Sequence, residues 1–210
     1  MTTTGTGART WHHNVDIGGV PYPLRTLAPD DLASGDYKTY GSMTFAPDQG
    51  RRMAAAHELG HLLTARHFGL RMDSLTLGAS LDGEQHQVSG SFIAAHHADQ
   101  PSRDLAVMFA AGERAANLWL FHERLWTPVR AMAVELMADR DRTAAAALLP
   151  AVTFDGGPDD YSHLHDAADR TLSLYWDRLT TALDTVVTRD QWTGDEIAAL
   201  AGLDNPVLAD

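Results

Sequence analysis

The sequence predicts a mostly helical α+β fold with a small β-sheet, on three observations. Apolar residues recur at helical spacing over long stretches after residue 48 and again after residue 104. Only short stretches alternate with period two, and they come in pairs around Gly18-Gly19 and Asp82-Gly83, the residue types that close hairpins. Caps and breakers then fall at the ends of the long stretches, where helices need them.

Residues 1–9 are small and polar and read as a disordered tail, leaving 10–210 as one domain. "WHHNVDIGGVPYPL" (11–24) reads as a hairpin with a proline-marked edge, and "TYGSMTF" (39–45) as a further strand. From Asp48 to Phe68 the period becomes helical, with Asp48 as N-cap and Gly69 as the stop. "RMDSLTLG" and "HQVSGSF" form the second hairpin. Asp104 to about Leu125 is the next helix. Thr127-Pro128 has the form of a cap followed by a first-turn proline, and opens a stretch to about Leu149 with a break near Asp141. "FDGGPDD" is a turn, and Asp159 or Asp160 opens a long helix to about Val187. "TGDEIAAL" begins a last short helix, with Thr193 and Glu196 as a capping box.

With 210 residues, 44% of them hydrophobic, the chain can bury a sizeable core. The absence of cysteine removes disulfides, thiolate metal sites and cysteine nucleophiles, so any metal must sit on His, Asp or Glu. A net charge of -12 argues against a nucleic-acid partner. The most apolar stretch, "LAVMFAAGERAANLWLF", is broken by Glu113 and Arg114, so no membrane span is expected. The start "MTTTGTGART" has neither the basic nor the apolar region of a signal peptide, which makes the cytoplasm the expected location.

"AAAHELGHLL" (54–63) contains HExxH. With 11 histidines in the chain, chance alone produces the pattern in roughly 2% of shuffled sequences, so it needs context. On a helix, His57 and His61 stand on one face and can offer two imidazoles to one zinc ion. Glu58, one step round, is placed to act as general base toward a water molecule that the metal acidifies. Ala54, Ala55, Leu59, Gly60, Leu62 and Leu63 mark the helix as buried, where an uncompensated His or Glu is costly.

A third protein ligand is required. His67 lies about 240° round the helix from His61 and faces away. His12, His13, His86, His96 and His97 read as solvated, and His163 and His165 as helix-surface residues. Asp155, Asp159 and Asp160, before the long helix, and Glu113 in "AGERAAN" are the remaining contenders.

The ordered run "HELGHLLTARHFGLRMDSLTLG", "VSGSF", "AAGERAANL", "GGPDDYSHLHDAADRTL" and "WTGDEIAAL" resembles the peptidase domain of the FtsH family of zinc metalloproteases over about residues 50–203. That family carries HEAGH on a helix, a GGRAAEE-like helix and a GxSNDL turn holding the third ligand. The resemblance implies a zincin-like fold, Zn2+ on His57, His61 and Asp160, Glu58 as catalytic base, and endopeptidase action on peptides or unfolded protein segments. The sequence departs from the family in having no ATPase module or membrane anchor, and in a longer stretch before Asp160. ATP-driven unfolding is therefore not expected, and the family's hexamer is not carried over.

Two other resemblances leave the third ligand open. "HELGHLLTARHFGL" with "LLPAVTFDGG" looks like site-2 membrane proteases, which would nominate Asp155, against the lack of membrane spans. "RRMAAAHELGHLL" with "ERAANLW" looks like the soluble ImmA/IrrE metallopeptidases, which would nominate Glu113 and a regulatory role. A non-catalytic binding protein on a zinc-peptidase fold is the alternative to turnover. The second hairpin either offers an edge to an extended peptide or simply covers the core.

Overall fold

The computed structural model describes residues 10–17, 19–27, 45–82, 85–95 and 100–207. The expected tail at 1–9 and residues 39–44 of the expected strand lie outside these. Among the described residues the fold is mostly helical with small antiparallel sheets, six helices and five strands in all.

β1 (His12–Ile17) and β2 (Val20–Leu24) form the first hairpin. Gly19 turns it at φ +82°, a conformation that costs glycine little because it has no Cβ. Val15, Tyr22 and Leu24 bury one face of the hairpin against Met132 and Leu136.

α1 (Pro47–His67) carries HExxH. Its N-cap falls two residues earlier than the sequence suggests. Ala46 is the N-cap and Pro47 takes the first helical position, where its fixed φ fits and its missing N–H is not needed; Asp48 falls in the first turn instead. Gly69, at φ +83°, ends the helix and lets the Leu70 N–H return to the Ala65 carbonyl.

β3 (Arg71–Asp82) follows, pairing with β4 (Gln85–Ala95) on one side and β5 (Gln191–Thr193) on the other. All the pairings are antiparallel. Leu75 and Leu77, two apart on β3, point into the core that α1 also enters. β5 is too short to leave a periodic signal, and Trp192 secures it by donating its indole N–H to the Val186 carbonyl.

α2 (Ser102–His122) packs along α1. The helical stretch after Thr127 is divided into α3 (Pro128–Met137) and α4 (Asp139–Leu148) at Ala138, three residues before the expected break. Asp141 therefore sits in the first turn of α4. α5 (Ser162–Val186) starts after Asp160 rather than at it, and α6 (Gly194–Leu200) opens on the expected Thr193–Glu196 capping box. α1 ends up between the sheet and the pair α2 and α5, which is why apolar side chains surround it.

Candidate metal centre

The site begins with a close helix contact. A β-carbon on Gly60 would fall 2.4 Å from the Ala115 Cβ and 2.7 Å from the Ala111 carbonyl oxygen, so α1 and α2 touch backbone to backbone at this point. Small residues on both helices, "ELGH" on one and "AAGERAA" on the other, permit that approach. One turn along, it brings Gly112 against the two imidazoles.

His57 and His61 converge as the i, i+4 spacing requires: their Nε2 atoms are 3.0 Å apart. Asp141, from α4, completes the group. Its Oδ2 lies 3.0 Å from His57 Nε2 and 3.4 Å from His61 Nε2. Among the described residues this is the one cluster of His, Asp and Glu with spacing suited to a metal ion.

The donor chemistry fits a small divalent cation. His61 Nδ1 is 2.8 Å from the Met108 carbonyl oxygen. A carbonyl can only accept, so Nδ1 carries the proton and Nε2 of the neutral ring presents its lone pair, the tautomer in which histidine binds metals. Two ring nitrogens 3.0 Å apart beside a carboxylate can share a proton or converge on a cation. Bonds of 2.0–2.1 Å in a tetrahedron imply ligand spacings of roughly 3.3 Å, and the three separations of 3.0, 3.0 and 3.4 Å are close to it. His61 is buried, whereas the His57 and Asp141 side chains keep 12% and 17% of their surface, so the group is reached from their side.

The electrostatics agree with this geometry. Burial opposes charge on Asp141, but the facing imidazoles outweigh it and hold the carboxyl well below its ordinary range. For His61, burial disfavours the cation, while Asp141, Glu58 and the Met108 carbonyl outweigh burial and raise its pKa. Glu58 is 6% exposed. Burial pushes its carboxyl up against the pull of His57 and His61.

The acids considered as third ligands lie outside this group. Asp160, the third ligand that the resemblance implies, lies outside the cluster. Its Oδ2 accepts from the Trp11 indole at 2.8 Å and the Gly156 N–H at 2.7 Å, and its Oδ1 from the Ser162 N–H at 2.9 Å. These bonds outweigh the burial that would raise its pKa, and hold it low. Asp155 closes its own turn, accepting from Thr153 Oγ1 and the Gly157 N–H. Asp159 is exposed, with its carbonyl taking the Thr153 N–H. Glu113 is buried and paired with Arg142 at 2.7 and 2.8 Å.

Of the histidines set aside, His13, His67 and His163 are exposed, and His12 is half-buried. His165 departs from the surface reading: it is buried, with Nε2 3.4 Å from Glu113 Oε1. His96 and His97 lie outside the described residues.

Asp141 and Gly112 are the two residues that sequence reasoning missed. "ADRDR" looks like solvated charge at a helix start, and only the expected break near Asp141 marked the place. Gly112 reads as one more small residue in an alanine-rich helix. The chain matches no protein-family model and no curated protein.

Proposed function

We propose that the chain is a zinc-dependent endopeptidase of zincin-like fold, in which His57, His61 and Asp141 hold the ion and Glu58 is the general base. The observation that carries this reading is the meeting of His57 Nε2, His61 Nε2 and Asp141 Oδ2 within one group, with Glu58 next to His57 on the same helix. The FtsH resemblance supports the peptide-bond chemistry but not its third-ligand position, because Asp160 is committed to Trp11, Gly156 and Ser162.

When bound, the ion would supply Lewis-acid polarisation of a substrate carbonyl and acidify a water molecule. The chain's own residues do the rest. Met108 fixes the His61 ring through Nδ1, and Asp141 contributes one negative charge to the ligand set. Glu58 takes the proton from the attacking water and returns it to the leaving amine. The partly exposed His57 and Asp141 leave the side from which a peptide enters.

The test is metal content together with a Glu58→Gln comparison on a peptide library. One zinc per chain and cleavage lost in the variant are expected. Identical products from both proteins would sink the peptidase reading. One zinc per chain without cleavage by either protein would point to a metal-binding regulatory protein on the same scaffold.

A further inference from the structure

Asp141 is the member of the group that does not come from α1, and α4, which supplies it, is a helix of ten residues. The neighbouring side chain, Arg142, ties that helix to Glu113 of α2. Arg142 is buried and clamped from several directions. Its Nε donates to Glu113 Oε2 at 2.8 Å and its Nη2 to Glu113 Oε1 at 2.7 Å. Glu135 Oε2 lies 3.5 Å from Nη2, and Nη1 donates to the Pro23 carbonyl. Glu113 in turn follows Gly112. Two adjacent pairs therefore face each other across α2 and α4: Gly112 clears space for the imidazoles while Asp141 reaches them, and Glu113 grips Arg142.

A two-point arginine–carboxylate pair fixes orientation as well as distance. Successive residues of a helix are set about 100° apart, so holding Arg142 holds the rotation of α4 and with it the direction of Asp141. A buried guanidinium also cannot withdraw without stranding the carboxylates around it.

We infer that Arg142 is a positioning residue, clamped by Glu113 so that α4 presents Asp141 to an ion on His57 and His61. This rests on the metal reading above. Glu113, a candidate ligand from sequence, then serves the ion at one remove.

α2 carries a matched control. Arg114 makes a similar two-point pair with Asp169, at 2.8 and 2.9 Å, but that pair joins α2 to α5, which holds no member of the group. The experiment titrates the full chain with Co2+ alone, following visible absorption, which reports ligand number and geometry. Thermal unfolding of each variant is measured in parallel. Glu113→Gln and Arg142→Lys are expected to weaken Co2+ binding by about 10- to 100-fold and to alter the absorption band. Arg114→Lys is expected to lower the melting temperature and leave affinity and band unchanged. Should Arg142→Lys not fold, Glu113→Gln decides alone, since it keeps the guanidinium and the Glu135 carboxylate. Wild-type affinity and band in Glu113→Gln, or the same loss in Arg114→Lys, overturns the positioning role only. A wild-type chain that binds no Co2+ overturns the metal reading and this role together.

Discussion

Gly112 lies so close to His61 that a β-carbon built on it would fall 2.2 Å from Nε2, and 2.7 Å from His57 Nε2. Both imidazoles stand on a helix locked against α2, so the added methyl cannot be accommodated by a flexible side-chain end. Gly112→Ala is expected to push the rings apart and cut zinc affinity at least tenfold. Overpacking should cost about 1–3 kcal/mol, and helical content should be retained. Calorimetric zinc titration with circular dichroism checks this. Unaltered affinity would mean that the imidazoles do not depend on the gap.

Two aspartates separate the geometric ligand from the one the resemblance implies. Asp141→Ala removes the carboxylate facing both histidines and should abolish stoichiometric zinc. Asp160→Ala removes the acceptor for Trp11, Gly156 and Ser162, so it should retain zinc and lose about 1–3 kcal/mol of stability. Elemental analysis of both purified variants gives the answer. The reverse pattern would restore Asp160 as the ligand and refute the site described above.

What was legible in the sequence follows from range. His57 and His61 are four residues apart on one helix, so local periodicity suffices to place them together. The Thr193–Glu196 capping box is local too, and the structure forms it as expected. Asp141 meets the histidines only through the packing of α4 on α2, more than 80 residues from His57, and no spacing rule reaches that far. Asp160 stands apart from the histidines for a related reason. Its place before a long helix suggested a ligand, but that position equally suits an acid accepting backbone N–H groups, and the Trp11 indole 149 residues away completes its hydrogen bonding. The Glu113–Arg142 pair hid in the same way, because an arginine next to an aspartate in "DRDR" looks like surface.

Glu135 gives the chain a pH dependence that can be isolated. Burial, with the Glu113 charge beside it, pushes its carboxyl up to about 7, against Arg142 and the N–H groups of Thr26 and Arg25. Its folded pKa is thus above the ordinary 4.5. Between these values the native state holds a proton that the unfolded chain has lost, so this contribution to stability is full below about 4.5 and declines as pH rises to about 7. The limiting slope for one proton is about 1.4 kcal/mol per pH unit. His165 works in the opposite direction: burial lowers its pKa despite Glu113, so its contribution is lost as pH falls. Comparing urea unfolding of wild type and Glu135→Gln from pH 4.5 to 7.5 cancels that background. The wild type should lose stability relative to the variant as pH rises, and a difference constant with pH would contradict the assignment.

Zinc and folding should be linked through the same contacts. His57 and His61 come from α1 and Asp141 from α4, so an ion bound to all three joins two helices that are far apart in sequence and separate when the chain unfolds. A ligand that binds only the native state adds about 2.7 kcal/mol when its free concentration is a hundred times Kd. For a chain of this length that corresponds to a rise of roughly 5–10 °C in Tm. Differential scanning fluorimetry with zinc and then with chelator should show the rise and its reversal. Asp141→Ala should show little of either, because an ion left on His57 and His61 alone bridges nothing outside α1. An equal zinc-dependent rise in that variant would place the ion on other ligands and detach α4 from the site.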